Sequence, residues 1–239
     1  MINVHRPLVL ALCLGFPVVP GVAVADTTPL EIVLRPGDRG DSVERLQRLL
    51  RDEGYLWGRV SGVYDDPTTA AVWGFQKLHG IRPHAKVDHV MWRALNRPRR
   101  PRPLVSNGAR DRVEIDLRRQ LLVVYRDRRP VLITHMSSGA GVTFCNGGRC
   151  RTATTPVGDF RVTTRAPGWT TGPLGSMYNS LYFVGGVAMH GSTRVPLWPA
   201  SHGCVRLPMK AADRLYQLVG VGEPVHVRGR STVVSNNRR

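Results

Sequence analysis

Acidic residues are scarce in this 239-residue chain: 17 Asp and Glu stand against 34 Lys and Arg, a net charge of +17. Such a surface repels cations and draws polyanions through its long-range field. Long apolar runs are also missing. The best one, near the N-terminus, is interrupted by Pro7, Pro17 and Pro20 and is too short for a good membrane span. Cysteine is sparse, with four in all. No HExxH occurs and few carboxylates lie near the histidines, so a metal-dependent peptidase lacks a ligand set. Hydrophobic residues make up 42% and charged residues 21%, within the ordinary globular range, which argues against wholesale disorder.

Residues 1–25 read as an export signal: Arg6 supplies the positive start, Leu8–Leu14 an apolar stretch, and Ala23-Val24-Ala25 a small-x-small cleavage site. Export removes the chromosome as a partner, so no nucleic acid is expected. An anionic wall polymer or membrane face takes its place. Cys13 leaves with the signal. Cys145 and Cys150 stand close together in CNGGRC, and outside the cytoplasm a disulfide is the expectation. A metal knuckle competes, but no second Cys/His pair has zinc spacing. Cys204 is left unpaired, which in an exported protein asks for a chemical explanation.

The mature chain divides into units. Residues 36–96 have helical periodicity. Ser42 is a plausible N-cap, with Arg45 at the capping-box position, for a helix burying Val43, Leu46, Leu49 and Leu50. Gly54 ends it. Asp66 or Thr68 starts a second helix, with Ala71, Val72, Phe75 and Leu78 on its buried face, stopped by Gly80. A short third carries Val90, Trp92 and Leu95. Residues 97–110 (RPRRPRPLVSNGAR) read as an extended, self-repelling spacer. Residues 111–228 show short β-type runs with one helical segment at 208–219, and 229–239 form a polar tail. The fold class is a β-dominated domain with one helix beside a small all-α three-helix unit.

Chemistry concentrates in Met189-His190-Gly191 and Ser201-His202-Gly203-Cys204-Val205-Arg206-Leu207. A thiol is a strong nucleophile only as thiolate, and an imidazole on an adjacent strand can take its proton. His190 and His202 are both candidates. Gly203 lets the backbone turn beside the sulfur, where its amide and that of Cys204 face a developing oxyanion.

These two blocks, with Ile115-Asp116-Leu117, Ser137-Ser138-Gly139 and Thr155-Pro156-Val157-Gly158-Asp159-Phe160, make residues 111–228 closely resemble the YkuD L,D-transpeptidase catalytic domain, a β-sandwich with one helix. Residues 36–96 resemble a peptidoglycan-binding domain, through Gly37–Gly40, Leu46-Gln47, Gly54-Tyr55, Phe75-Gln76 and Trp92. The resemblance implies Cys204 as acylated nucleophile and His190 as general base, oriented by the Gly191 carbonyl in place of a triad carboxylate. His202, with the Gly203 and Cys204 amides, would line the oxyanion hole. Arg206 would hold a substrate carboxylate, and Ser201 would stand at the substrate. Tyr178 and Trp198 stand either along the acyl-donor channel or in plain packing. It further implies 3→3 cross-linking of peptidoglycan stems with no cofactor or metal, and inhibition by carbapenem-type β-lactams; a monomer at the cell wall is the expectation. Water as acceptor would give an L,D-carboxypeptidase, and loss of catalysis a wall-binding protein.

Overall fold

A computed structural model describes residues 32–230; the expected signal segment and most of the polar tail lie outside the described residues. Three helices come first: α1 (Asp41–Asp52), α2 (Asp66–His79) and α3 (His89–Leu95). Eleven strands and α4 (Met209–Leu218) follow: β1 (Arg112–Asp116), β2 (Leu121–Arg126), β3 (Arg129–His135), β4 (Thr143–Asn146), β5 (Arg149–Thr152), β6 (Gly158–Arg161), β7 (Thr164–Gly172), β8 (Gly175–Val184), β9 (Val187–Gly191), β10 (Val205–Leu207) and β11 (Pro224–Arg228).

One helix start differs from the sequence reading, while α2 starts at Asp66 as expected. α1 is entered through Gly40 at φ 106°, with no side-chain cap, so Ser42 lies one residue inside the helix. The backbone turn that a left-handed glycine allows takes the place of a capping hydroxyl. α2 is capped by Asp65, whose carboxylate accepts from the amide and hydroxyl of Thr68. Val90 faces outward and Met91 takes the buried place expected of it.

A five-stranded sheet, β3-β2-β1-β11-β6, faces a four-stranded sheet, β10-β9-β8-β7. Ile115, Leu122 and Val124 from the first sheet meet Met189, Val205 and Leu207 from the second, together with Ala212 and Leu215 of α4. The fold is a YkuD-like β-sandwich, with β4 and β5 a separate exposed hairpin closed by a Cys145–Cys150 disulfide.

The outer face of the five-stranded sheet is not left to solvent. Val123, Tyr125 and Ile133 join Phe75, Tyr55 and Trp92 in a second core. Strand β2 is therefore buried on both faces, which is why LLVVY is continuously apolar and does not alternate. The helical unit and the sandwich share this core. Residues 97–110 contain no helix or strand, yet they are not a free spacer. The Arg99 amide donates to His79 Nε2 at 2.8 Å, and that of Leu104 to the buried Glu114 carboxylate at 2.7 Å. Glu114 is in turn paired with buried Arg112 at 2.7 Å.

Candidate active site

Strands β9 and β10 run parallel, with Met189 beside Val205, His190 beside Arg206 and Gly191 beside Leu207. Met189, Val205 and Leu207 point into the core. Side chains alternate along a strand, so His190 and Arg206 face the opposite way, and Cys204 continues that face one step before β10. Cys204 is the free cysteine among the described residues.

The turn that presents it is held by the motif segments. Gly203 sits at φ 137°, and a Cβ there would meet the Thr154 carbonyl at 3.0 Å. Its carbonyl accepts from Thr155 Oγ1 at 2.7 Å, and that same oxygen accepts from the Gly139 amide at 2.9 Å. The backbones of Ser137 and Arg206 exchange two hydrogen bonds, at 3.0 and 2.9 Å. Ser201 and Gly139 form a further bridge. Segments distant in sequence thus frame the cysteine.

His190 is 4% exposed. Its Nδ1 lies 2.9 Å from the Gly191 carbonyl. A carbonyl only accepts, so Nδ1 carries the proton and Nε2 keeps its lone pair. Burial holds the imidazole below its ordinary pKa; the Gly191 carbonyl opposes this and the charge of Arg206 adds to it. Burial pushes the Cys204 thiol up, against an Ala188 backbone hydrogen bond and the Arg206 charge. The resting pair is therefore neutral thiol and neutral imidazole, not a preformed ion pair. The sulfur also lies 3.8 Å from the Gly186 carbonyl, a weak contact. Arg206 is half-buried, and no carboxylate pairs with it among the described residues.

Two expected roles are displaced. Ser201 is 2% exposed, and its hydroxyl donates to the Cys204 carbonyl at 2.5 Å while accepting from the Gly203 amide at 3.0 Å. Ser201 closes the turn and does not face substrate. For the same reason the Gly203 amide is spent inside the turn, not aimed at an oxyanion. His202, two residues before Cys204, is exposed, its ring 4.7 Å from that of Phe144 on the disulfide-closed hairpin. Tyr178 backs Gly191 and packs on Trp169 at 5.2 Å, and a hydrogen bond with the Asp213 carboxylate raises its phenol above the ordinary pKa. Trp198 is 54% exposed on the segment joining β9 to Cys204, where its carbonyl accepts from Ser137 Oγ at 2.7 Å.

Three contributors carried little local signal. Thr155 and Ser137 lie in matched motifs, but their bonds to the cysteine turn needed the fold. His135, fully buried, is the third. Its Nε2 donates to the Val195 carbonyl at 3.0 Å and its Nδ1 accepts from Lys77 at 2.7 Å. Among the described residues no three of His, Cys, Asp and Glu converge to hold a metal ion, and no helix is long and apolar enough to cross a membrane.

The sandwich, the β9–β10 pairing and the framed Cys204 turn define a YkuD-type catalytic domain, and comparison with known proteins agrees. The family model of the L,D-transpeptidase catalytic domain (YkuD) matches residues 110–227, and that of a peptidoglycan binding domain matches residues 39–95. The solved L,D-transpeptidase (residues 123–326) from Xylanimonas cellulosilytica DSM 15894 is 39% identical with a TM-score of 0.77, covering 82% of this chain and 97% of that one. The solved L,D-transpeptidase from Stackebrandtia nassauensis is 21% identical with a TM-score of 0.46, covering 84% and 97%. No curated protein matches. The chain belongs to the L,D-transpeptidase family.

Proposed function

We propose that this protein is an exported cell-wall enzyme that forms 3→3 cross-links between peptidoglycan stem peptides through a thioester on Cys204. The observation that supports this most is the pairing of β9 with β10, which sets His190, with an unused Nε2, on the face that carries Cys204.

The reaction runs in two acyl transfers. Cys204 Sγ attacks the carbonyl of the third residue of a tetrapeptide stem while His190 Nε2 takes the thiol proton. The Cys204 amide and His202 receive the oxyanion. The C–N bond breaks, the terminal D-Ala amine leaves with the proton from His190, and a thioester remains. The side-chain amine of a diamino acid on a second stem attacks that thioester, gives its proton to His190, and expels the thiolate, which recovers the proton. Arg206 holds a stem carboxylate. Residues 36–96 act as the peptidoglycan-binding domain and 111–228 as the catalytic domain. No step calls for a cofactor.

The test is product analysis by liquid chromatography and mass spectrometry after incubation with disaccharide tetrapeptides. Cross-linked dimers with release of D-Ala are expected, and neither forms with Cys204→Ala. Tripeptides without dimers would replace cross-linking with carboxypeptidase trimming. No turnover at all by folded, reduced protein would overturn the enzymatic reading in favour of wall binding.

A further inference from the structure

Helix α2 lies close against the end of β3. A Cβ on Gly74 would stand 3.2 Å from the His135 amide nitrogen, so only a glycine admits the strand this near. Trp73 and Lys77, spaced to share one face of the helix, reach the His135 ring from the same side. Trp73 meets it edge-on at 5.4 Å. Lys77 Nζ donates to His135 Nδ1 at 2.7 Å and to the Gln120 carbonyl at 3.2 Å. With Nδ1 accepting, the proton sits on Nε2, which donates to the Val195 carbonyl at 3.0 Å. A chain of two hydrogen bonds thus runs from the helical unit to the segment that follows β9. No carboxylate pairs with Lys77 among the described residues, and burial pushes its pKa down to about 7. An ammonium group is unfavourable in such a place without a counter-ion, so stability alone does not account for a lysine there.

Residues 192–200 join β9 to the Cys204 turn. The ends of this segment are fastened within the sandwich. The Ser192 amide donates to the Leu207 carbonyl at 2.9 Å, the Ala200 amide to the Ser138 carbonyl at 2.9 Å, and Ser137 Oγ to the Trp198 carbonyl at 2.7 Å. Its middle, at Val195, is held from the helical unit through His135 and Lys77. Next to Val195 stands Arg194, whose charge reaches the site: burial lowers the Arg206 pKa, and Arg194 adds to that. Cys204 and His190 are fixed by other contacts, through Thr155 and Ser201 at the turn and through the Gly191 carbonyl at the ring. A displaced segment would therefore alter how a stem is held beside Arg206 and leave the reacting pair in place.

We infer that Lys77 is a positioning residue for the transpeptidase reaction: from the helical unit it fixes the His135 ring that holds Val195, and so sets segment 192–200 for binding of the stem peptide. This rests on the stem-peptide reading above and adds a residue to it. The helical unit then contributes to the catalytic half directly, through one side chain.

The mature protein, Lys77→Met, His135→Gln and the double variant are compared in turnover of disaccharide tetrapeptides, each with a melting curve to check folding. Lys77→Met keeps an unbranched stem and removes the donor. Its KM should rise about three- to tenfold with kcat unchanged, the pattern of lost binding and not of lost chemistry. Amide hydrogen exchange in Lys77→Met, read by mass spectrometry, should quicken across 193–200 while β1, β2 and β11 keep the native rate. The double variant should show the KM of His135→Gln alone, because both changes act through one ring. An unchanged KM, a fall in kcat alone, exchange quickened throughout the sandwich, or additive effects on KM would each overturn the inference while native turnover keeps the parent reading. A native protein that turned over no tetrapeptide would remove the parent reading, and this inference with it.

Discussion

Two buried histidines divide the labour of this molecule. His190 and His135 each lie at or next to the end of a strand of the sandwich, each bind a backbone carbonyl through one ring nitrogen, and each are held below the ordinary imidazole pKa by burial. The difference is the second nitrogen. In His135 it accepts from Lys77, so both positions are used and the ring ties α2 to the segment over the cysteine site. In His190 it has no partner among the described residues and lies on the face of Cys204. A buried imidazole with both nitrogens bonded is architecture; one with a nitrogen to spare is available for chemistry.

The strongest way to sharpen that contrast is to replace each ring with an amide. His190→Gln should cut the rate of Cys204 acylation by about 10²–10⁴, the scale of lost general-base catalysis, with little change in melting temperature. His135→Gln should do the reverse. Losing the buried ring and its bonds should cost about 2–4 kcal/mol in denaturant unfolding, with acylation reduced far less. Equal stability losses in both variants would break the comparison.

Acid should separate the two as well. His135 is pushed down to about 3, whereas in the unfolded chain its pKa is about 6.5. Between those values the unfolded state binds the extra proton, so unfolding free energy falls as pH drops from about 6.5 towards 3, by at most about 1.4 kcal/mol per pH unit for this group. His190 and His79, also lowered, act in the same direction. Lys77, pushed down to about 7 by burial, works in the next window: stability rises with pH from about 7 to 10.5. Chemical denaturation across pH should show the acid slope, and His135→Gln should flatten it. The acid limb of kcat/KM belongs instead to His190. It should lie below the ordinary imidazole value, with the alkaline limb above the ordinary thiol value, because the reactive pair is neutral on both sides. A preformed ion pair would place the thiol limb well below that.

The smallest effect concerns the hairpin. Removing the disulfide with Cys145→Ser and Cys150→Ser loosens a short exposed ring, for about 2 kcal/mol at most. The contact that depends on it is Phe144 against His202. A few-fold rise in KM for stem substrate, with carbapenem acylation nearly intact, is the expected outcome of steady-state kinetics.

The sequence made some of this plain and hid the rest for physical reasons. The common face of Cys204, His190 and Arg206 was legible because two short blocks carry them and a parallel strand pair needs no distant information beyond their order. The Gly191 carbonyl was likewise expected where it is found. Ser201 and Gly203 were misplaced because spacing does not reveal that a hydroxyl two residues away closes the turn on itself. Strands β4 and β5 escaped notice because TFCN and RCRT are exposed and polar, with the cysteine pair their one mark. Residues 97–110 looked like a free spacer by composition, since the partners of Arg99 and Leu104 are distant in sequence. The continuous burial of Leu121–Tyr125 was not read from the sequence, because its second cover comes from the helical unit, far away along the chain.

The most direct test of the central claim is the intact mass of the purified mature protein after exposure to a carbapenem, beside Cys204→Ala. A single stoichiometric adduct on the native protein and none on the variant is the predicted result. A folded, reduced native protein that takes up no adduct, or a variant that takes up the same one, would contradict the assignment of Cys204 as the acylated nucleophile.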